Sequence, residues 1–152
     1  MPCVPPGICR ACRFSEEKMV ARRQGGGDRF AMRQTTLLKR RDSMKHGPLE
    51  QCHEGMGCLD WTEVLNSEDL PGCRLNFVHD DVLAPGVSIG VHRHDGDEEY
   101  YYIVAGRGQM TLDNELFEVE AGDMACVFPG GCHGLKNNGT EDLRIVVFSV
   151  SP

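Results

Sequence analysis

The sequence predicts an all-β fold, an antiparallel sandwich or barrel of short strands. Short apolar or alternating runs recur roughly every ten residues in the second half of the chain, with turn signals between them. Helical periodicity is scarce; only Asp60–Asn66 reads as one short turn or helix. A chain of 152 residues suffices for one compact core and hardly for two.

The strands follow in order. Arg74–Val78 alternates polar and apolar residues, and Val87–Val91 is short and β-branched. Tyr100–Val104 is an aromatic and aliphatic run. Gln109–Leu112 and Leu116–Val119 flank Asp113-Asn114, a pair suited to a tight hairpin turn. Gly122-Asp123 marks another turn before Met124–Phe128. Leu143–Val150 closes the chain with Ile145, Val146, Val147 and Phe148. On this reading residues 46–73 are a lead-in and 74–152 hold the barrel.

Charge divides the chain. Residues 1–45 carry eleven Lys and Arg against four acids, a net of +7, whereas residues 46–152 carry a net of -14. The first stretch combines high charge, little apolar periodicity and the run Gly25-Gly26-Gly27, which predicts a poorly structured extension. The composition changes near Met44, a second candidate for the start of translation. The acidic body repels polyanions, so neither nucleic acid nor an anionic membrane is an expected partner. No apolar run is long enough to span a bilayer and no export signal is visible; the expectation is a cytoplasmic protein. Its eight scattered cysteines then read as reduced thiols, with Cys126 a small buried hydrophobe. Cys9-x-x-Cys12, with Cys3 nearby, lacks the second close pair of a zinc ribbon, and Cys52-His53 stands distant and isolated.

Chemistry concentrates in one segment. His92 and His94 are two apart, so on a strand both imidazoles point to one face. Glu99 opens the next strand and can add an oxygen; Tyr101 and Ile103 share its face, while Tyr100 and Tyr102 face the other way. Glu98 is the competing carboxylate, and alternation with Tyr101 favours Glu99. A fourth ligand has to come from elsewhere, and His133 follows a glycine-rich turn after Met124–Phe128. Tyr101 is the candidate catalytic proton donor, against the alternative of a packed aromatic. Cys126 or Cys132 could lie near the mouth of the site; Arg93 points away from it.

Gly86, His92, His94, Glu99 and Gly106, followed by Gly122, Gly130, His133 and Asn137, resemble the two sequence motifs of the cupin superfamily. Every interval is matched, and one residue departs: Phe128 stands where proline is usual, with Pro129 one position later, which leaves the shape of that turn open. The resemblance implies a double-stranded β-helix, the jelly-roll cupin barrel, holding one divalent metal on His92, His94, Glu99 and His133. Three imidazoles and a carboxylate suit Fe, Mn, Zn, Ni, Co or Cu without selecting among them. It further implies a metal-dependent lyase, isomerase or dioxygenase acting on a small oxygen-rich molecule. The alternative is a non-catalytic module that binds or senses a sugar or carboxylate. A homodimer that protects the sheet edges is the expected assembly.

Overall fold

The computed structural model describes residues 36–152. The earlier part of the basic stretch, with Cys3, Cys9 and Cys12, lies outside the described residues. Ten strands follow: β1 (Lys45–Glu50), β2 (Cys58–Asn66), β3 (Leu75–Leu83), β4 (Ser88–Arg93), β5 (Glu98–Ala105), β6 (Arg107–Leu112), β7 (Glu115–Glu120), β8 (Met124–Val127), β9 (Cys132–Lys136) and β10 (Leu143–Val150). They form a six-stranded sheet, β1-β2-β3-β10-β5-β8, and a four-stranded sheet, β4-β9-β6-β7. All pairings are antiparallel. The fold is the all-β jelly roll of the sequence expectation.

Alternation builds the interior. β10 turns Leu143, Ile145, Val147 and Ser149 inward, and β5 turns Glu99, Tyr101 and Ile103 inward. Leu59, Leu83, Ile89, Met110 and Leu135 complete a core that joins the two sheets. The Asp113-Asn114 turn forms as expected, with both residues in the left-handed region at φ 47° and 73°. Gly106 is required where β5 passes to β6: its φ is 80°, and a Cβ there would meet the Asp142 carbonyl. Asn137 is fully buried and clamps the barrel end. Its amide donates to the carbonyls of Leu83 (2.7 Å) and Glu141 (2.8 Å), and its oxygen accepts from the Gly139 N–H (2.9 Å).

The structure differs from the sequence reading in three places. Asp60–Asn66 is neither turn nor helix but part of β2, paired on one side to β1 and on the other to β3. Two neighbouring strands there override a weak local pattern. β1 and β2 belong to the six-stranded sheet, so the sheet begins upstream of residue 74, and β1 opens at Lys45. β9 carries Gly134 amid five residues and offers no alternating signature. Among the described residues no helix is long and apolar enough to cross a membrane, and no cysteine is paired.

Candidate metal centre

His92 lies on β4 and His133 on β9, directly across the ladder from each other. His94 follows the end of β4. Its backbone is fixed to the 128–131 turn by two hydrogen bonds: His94 N–H to the Gly131 carbonyl (3.0 Å), and Gly130 N–H to the His94 carbonyl (2.6 Å). The Phe128 substitution therefore leaves this turn tied to a site residue, with the Phe128 side chain itself exposed. Glu99 comes from the other sheet, on β5. Glu98 faces away and accepts the Tyr100 hydroxyl (2.7 Å). Alternation thus puts Glu99, and not Glu98, opposite the imidazoles.

The three Nε2 atoms converge. His92 and His94 are 3.1 Å apart, His94 and His133 3.0 Å, and His133 and His92 3.1 Å. Glu99 Oε2 stands 3.0 Å from His133 Nε2, 3.5 Å from His94 Nε2 and 4.0 Å from His92 Nε2. His94, Glu99 and His133 are buried and His92 is half-buried.

Hydrogen positions follow from the partners of the opposite ring nitrogens. His92 Nδ1 is 2.9 Å from the Gly90 carbonyl, and His94 Nδ1 is 3.0 Å from Asp97 Oδ1. Both partners accept and neither donates, so the ring proton sits on Nδ1 in each case. The Nε2 atoms then present lone pairs to one another at 3.1 Å. Glu99 Oε2 adds a buried oxygen without a well-directed hydrogen bond. Facing lone pairs without a proton between them repel, and a cation at their centre resolves the conflict.

The spacings fit such an ion. With bonds of about 2.1 Å, adjacent ligands of an octahedron lie ~3.0 Å apart, opposite ones ~4.2 Å, and tetrahedral ones ~3.4 Å. The imidazole edges match adjacent octahedral positions. Glu99 Oε2 lies nearest His133 and within 4.0 Å of all three imidazoles, so all four groups could hold one ion. The residues present fit a divalent transition metal.

Burial raises the Glu99 carboxyl, but the 3.0 Å contact with His133 and the charges that His133, His94 and His92 carry when protonated outweigh it and hold the group below its ordinary range. Burial pushes the His92 imidazole down to about 4, so this ring is neutral at pH 7. Tyr101 is buried with its ring edge-on to His133, centroids 4.7 Å apart. Burial first, then the Glu99 charge, raises its phenol well above the usual range. It therefore keeps its proton and packs against the His133 ring. Arg93 points outward to Asp95 at 3.0 Å.

Sequence reasoning missed the loop between β1 and β2. His53, read as isolated, stacks on His92 with ring centroids 3.6 Å apart and planes within 6°. Cys52 enters the same interior; burial and the charges of Asp81 and Glu99 push its thiol up to about 11. Asp81 is buried on β3 with Oδ1 unpartnered. Cys126 and Cys132 are half-buried, Cys126 on the outward side of β8 with Glu98 among its neighbours, and Cys132 across the ladder from Arg93. The thiol beside the site is that of Cys52. One signal was available: Gly90 interrupts a β-branched run, and glycine inside a strand marks close backbone approach. A Cβ at Gly90 would strike the His53 carbonyl.

Comparison with known proteins agrees with this architecture. Residues 80–149 match the family described as the cupin domain. An oxalate-binding protein of Thermotoga maritima is 36% identical over 112 residues, 74% of this chain and 92% of the relative. An uncharacterized protein of Methanocaldococcus jannaschii is 47% identical over 71 residues, 47% of this chain, a match that spans just 57% of that protein. A crystal structure described as a predicted oxalate decarboxylase from Thermotoga maritima superposes with a TM-score of 0.71 at 24% identity, covering 76% of this chain and all of the other. KdgF from Halomonas gives a TM-score of 0.60 at 17% identity, covering 78% and 96%. At these identities the structures share the fold alone. The chain belongs to the cupin superfamily.

Proposed function

We propose that this cupin holds one divalent transition metal on His92, His94, Glu99 and His133 and uses it to bind and transform a small oxygen-rich carboxylate. The convergence of three imidazole nitrogens and one buried carboxylate oxygen carries the reading. When bound, the metal supplies Lewis acidity toward a carboxylate or carbonyl oxygen. The chain's own residues present ligands in fixed tautomers, exclude water through the packed interior, and hold the His133 ring with Tyr101. The buried phenol stays protonated and is available to donate a hydrogen bond, not to act as a base. The small carboxylate class draws on the Thermotoga relative named as oxalate-binding. The same relative favours a second reading, reversible binding without turnover.

Calorimetric titration of metal-loaded protein with oxalate, glycolate and a 2-keto acid, followed by product analysis and oxygen uptake, tests this. Saturable binding that disappears in His133→Ala supports the site, and product formation separates enzyme from binder. Equal binding by metal-free and metal-loaded protein would refute it.

A further inference from the structure

His94 differs from His92 in what its Nδ1 faces: a carboxylate instead of a backbone carbonyl. That carboxylate, Asp97, sits in the turn before β5 and is itself the end of a part-buried chain whose one fully buried member is Ser149. Ser149 Oγ donates to Asp97 Oδ2 at 2.7 Å, and Asn76 Nδ2 donates to Ser149 Oγ at 2.9 Å. Ser151 Oγ donates to Asn76 Oδ1 at 2.7 Å, while the Ser151 N–H is tied to the Arg74 carbonyl at 2.8 Å. The three side-chain donors, Ser151 Oγ, Asn76 Nδ2 and Ser149 Oγ, all point the same way, toward Asp97. His94 Nδ1–H meets it from the other side. An ionised carboxylate only accepts, so the two ends are compatible with no other placement of the protons.

Ser149 is out of place by ordinary packing rules. The inward positions of β10 run Leu143, Ile145 and Val147, and the next is this serine, fully buried and paired in register with Glu99 on β5. An apolar residue there would fill the interior without needing partners. A hydroxyl at that point has a use if it fixes the Asp97 carboxylate.

We propose that Asp97 is a positioning residue for His94, locked by the Ser149–Asn76–Ser151 relay, so that β3 and β10 set His94's tautomer and its affinity for metal. Asp97 holds the proton on Nδ1, leaves the Nε2 lone pair free, and makes the ring a better donor to a cation. The affinity part of this inference rests on the proposed metal centre; the tautomer part does not.

The test reads both. Nitrogen NMR of the metal-free protein assigns the His94 tautomer, and competition titration with Zn²⁺ gives affinity, with Asp95→Asn as an exposed control. In the wild type the proton resides on Nδ1. Asp97→Ala gives a mixed or reversed tautomer and weakens Zn²⁺ binding roughly 10–100-fold, the range typical of outer-sphere partners. Asp97→Asn keeps an acceptor oxygen and recovers part of both. Ser149→Ala weakens binding by a smaller factor, and stands in if Asp97→Ala does not fold. A wild-type tautomer and wild-type Zn²⁺ affinity in Asp97→Ala or, in its place, Ser149→Ala would overturn the proposal. Failure of the wild type to bind Zn²⁺ at all would overturn the metal centre itself, and the affinity part with it.

Discussion

Glu98 and Glu99 are neighbours in sequence with opposite environments. Glu98 bonds to Tyr100 on the outer face, and Glu99 is buried against His133. Glu99→Gln should weaken metal binding by more than the roughly 10–100-fold expected for an outer partner, and Glu98→Gln should leave it near wild type; competition titration distinguishes them. Asp81 makes a different prediction. Burial pushes its carboxyl from 3.8 up to about 7, helped by the charges of Asp80 and Glu99 and opposed by the Thr62 N–H. The folded protein then binds this proton more tightly than the unfolded chain. Stability is lost as pH rises from about 4 to about 7 and is level above that. Asp81→Asn should abolish this fall and, at pH 8, exceed metal-free wild type by on the order of 2 kcal/mol. Denaturant titrations across that pH range measure it.

At the scale of elements, local patterns were legible where alternation or turn chemistry acts alone. β5, β10 and the β6–β7 hairpin followed from periodicity and from Asp113-Asn114. His92, His94, Glu99 and His133 followed from strand spacing and from the order of the two motifs. β2 and β9 did not, because their pairing comes from strands distant in the chain. The loop that brings Cys52 and His53 to the site was illegible for the same reason. It is held in a conformation that sequence does not advertise: Gln51, His53 and Glu54 all have positive φ, at 48°, 50° and 63°. Such backbone is costly unless its surroundings impose it. Gly90 is one of those surroundings. Gly90→Ala should displace the loop, break the His53–His92 stack and cost about 1–3 kcal/mol by thermal or chemical unfolding. Gly96→Ala, where a Cβ meets nothing within 4 Å, is the matched control.

For the whole molecule, the barrel joins the candidate ligands from both sheets: His92 and His133 from the four-stranded sheet, Glu99 from the six-stranded one, and His94 from the turn after β4. An ion that binds all four crosslinks the sheets. Binding to the folded state alone stabilises by about 2.7 kcal/mol when free metal is 100 times its dissociation constant. Chelation should therefore lower the melting temperature of the wild type and leave that of His133→Ala unchanged. One ion on these four residues is the proposed centre. Elemental analysis of protein purified without added chelator, wild type beside His94→Ala and His133→Ala, tests it most directly. The wild type should carry close to one equivalent of a divalent transition metal, and both variants should lose it. A full equivalent retained in both variants, or none in the wild type even after incubation with metal, would contradict it.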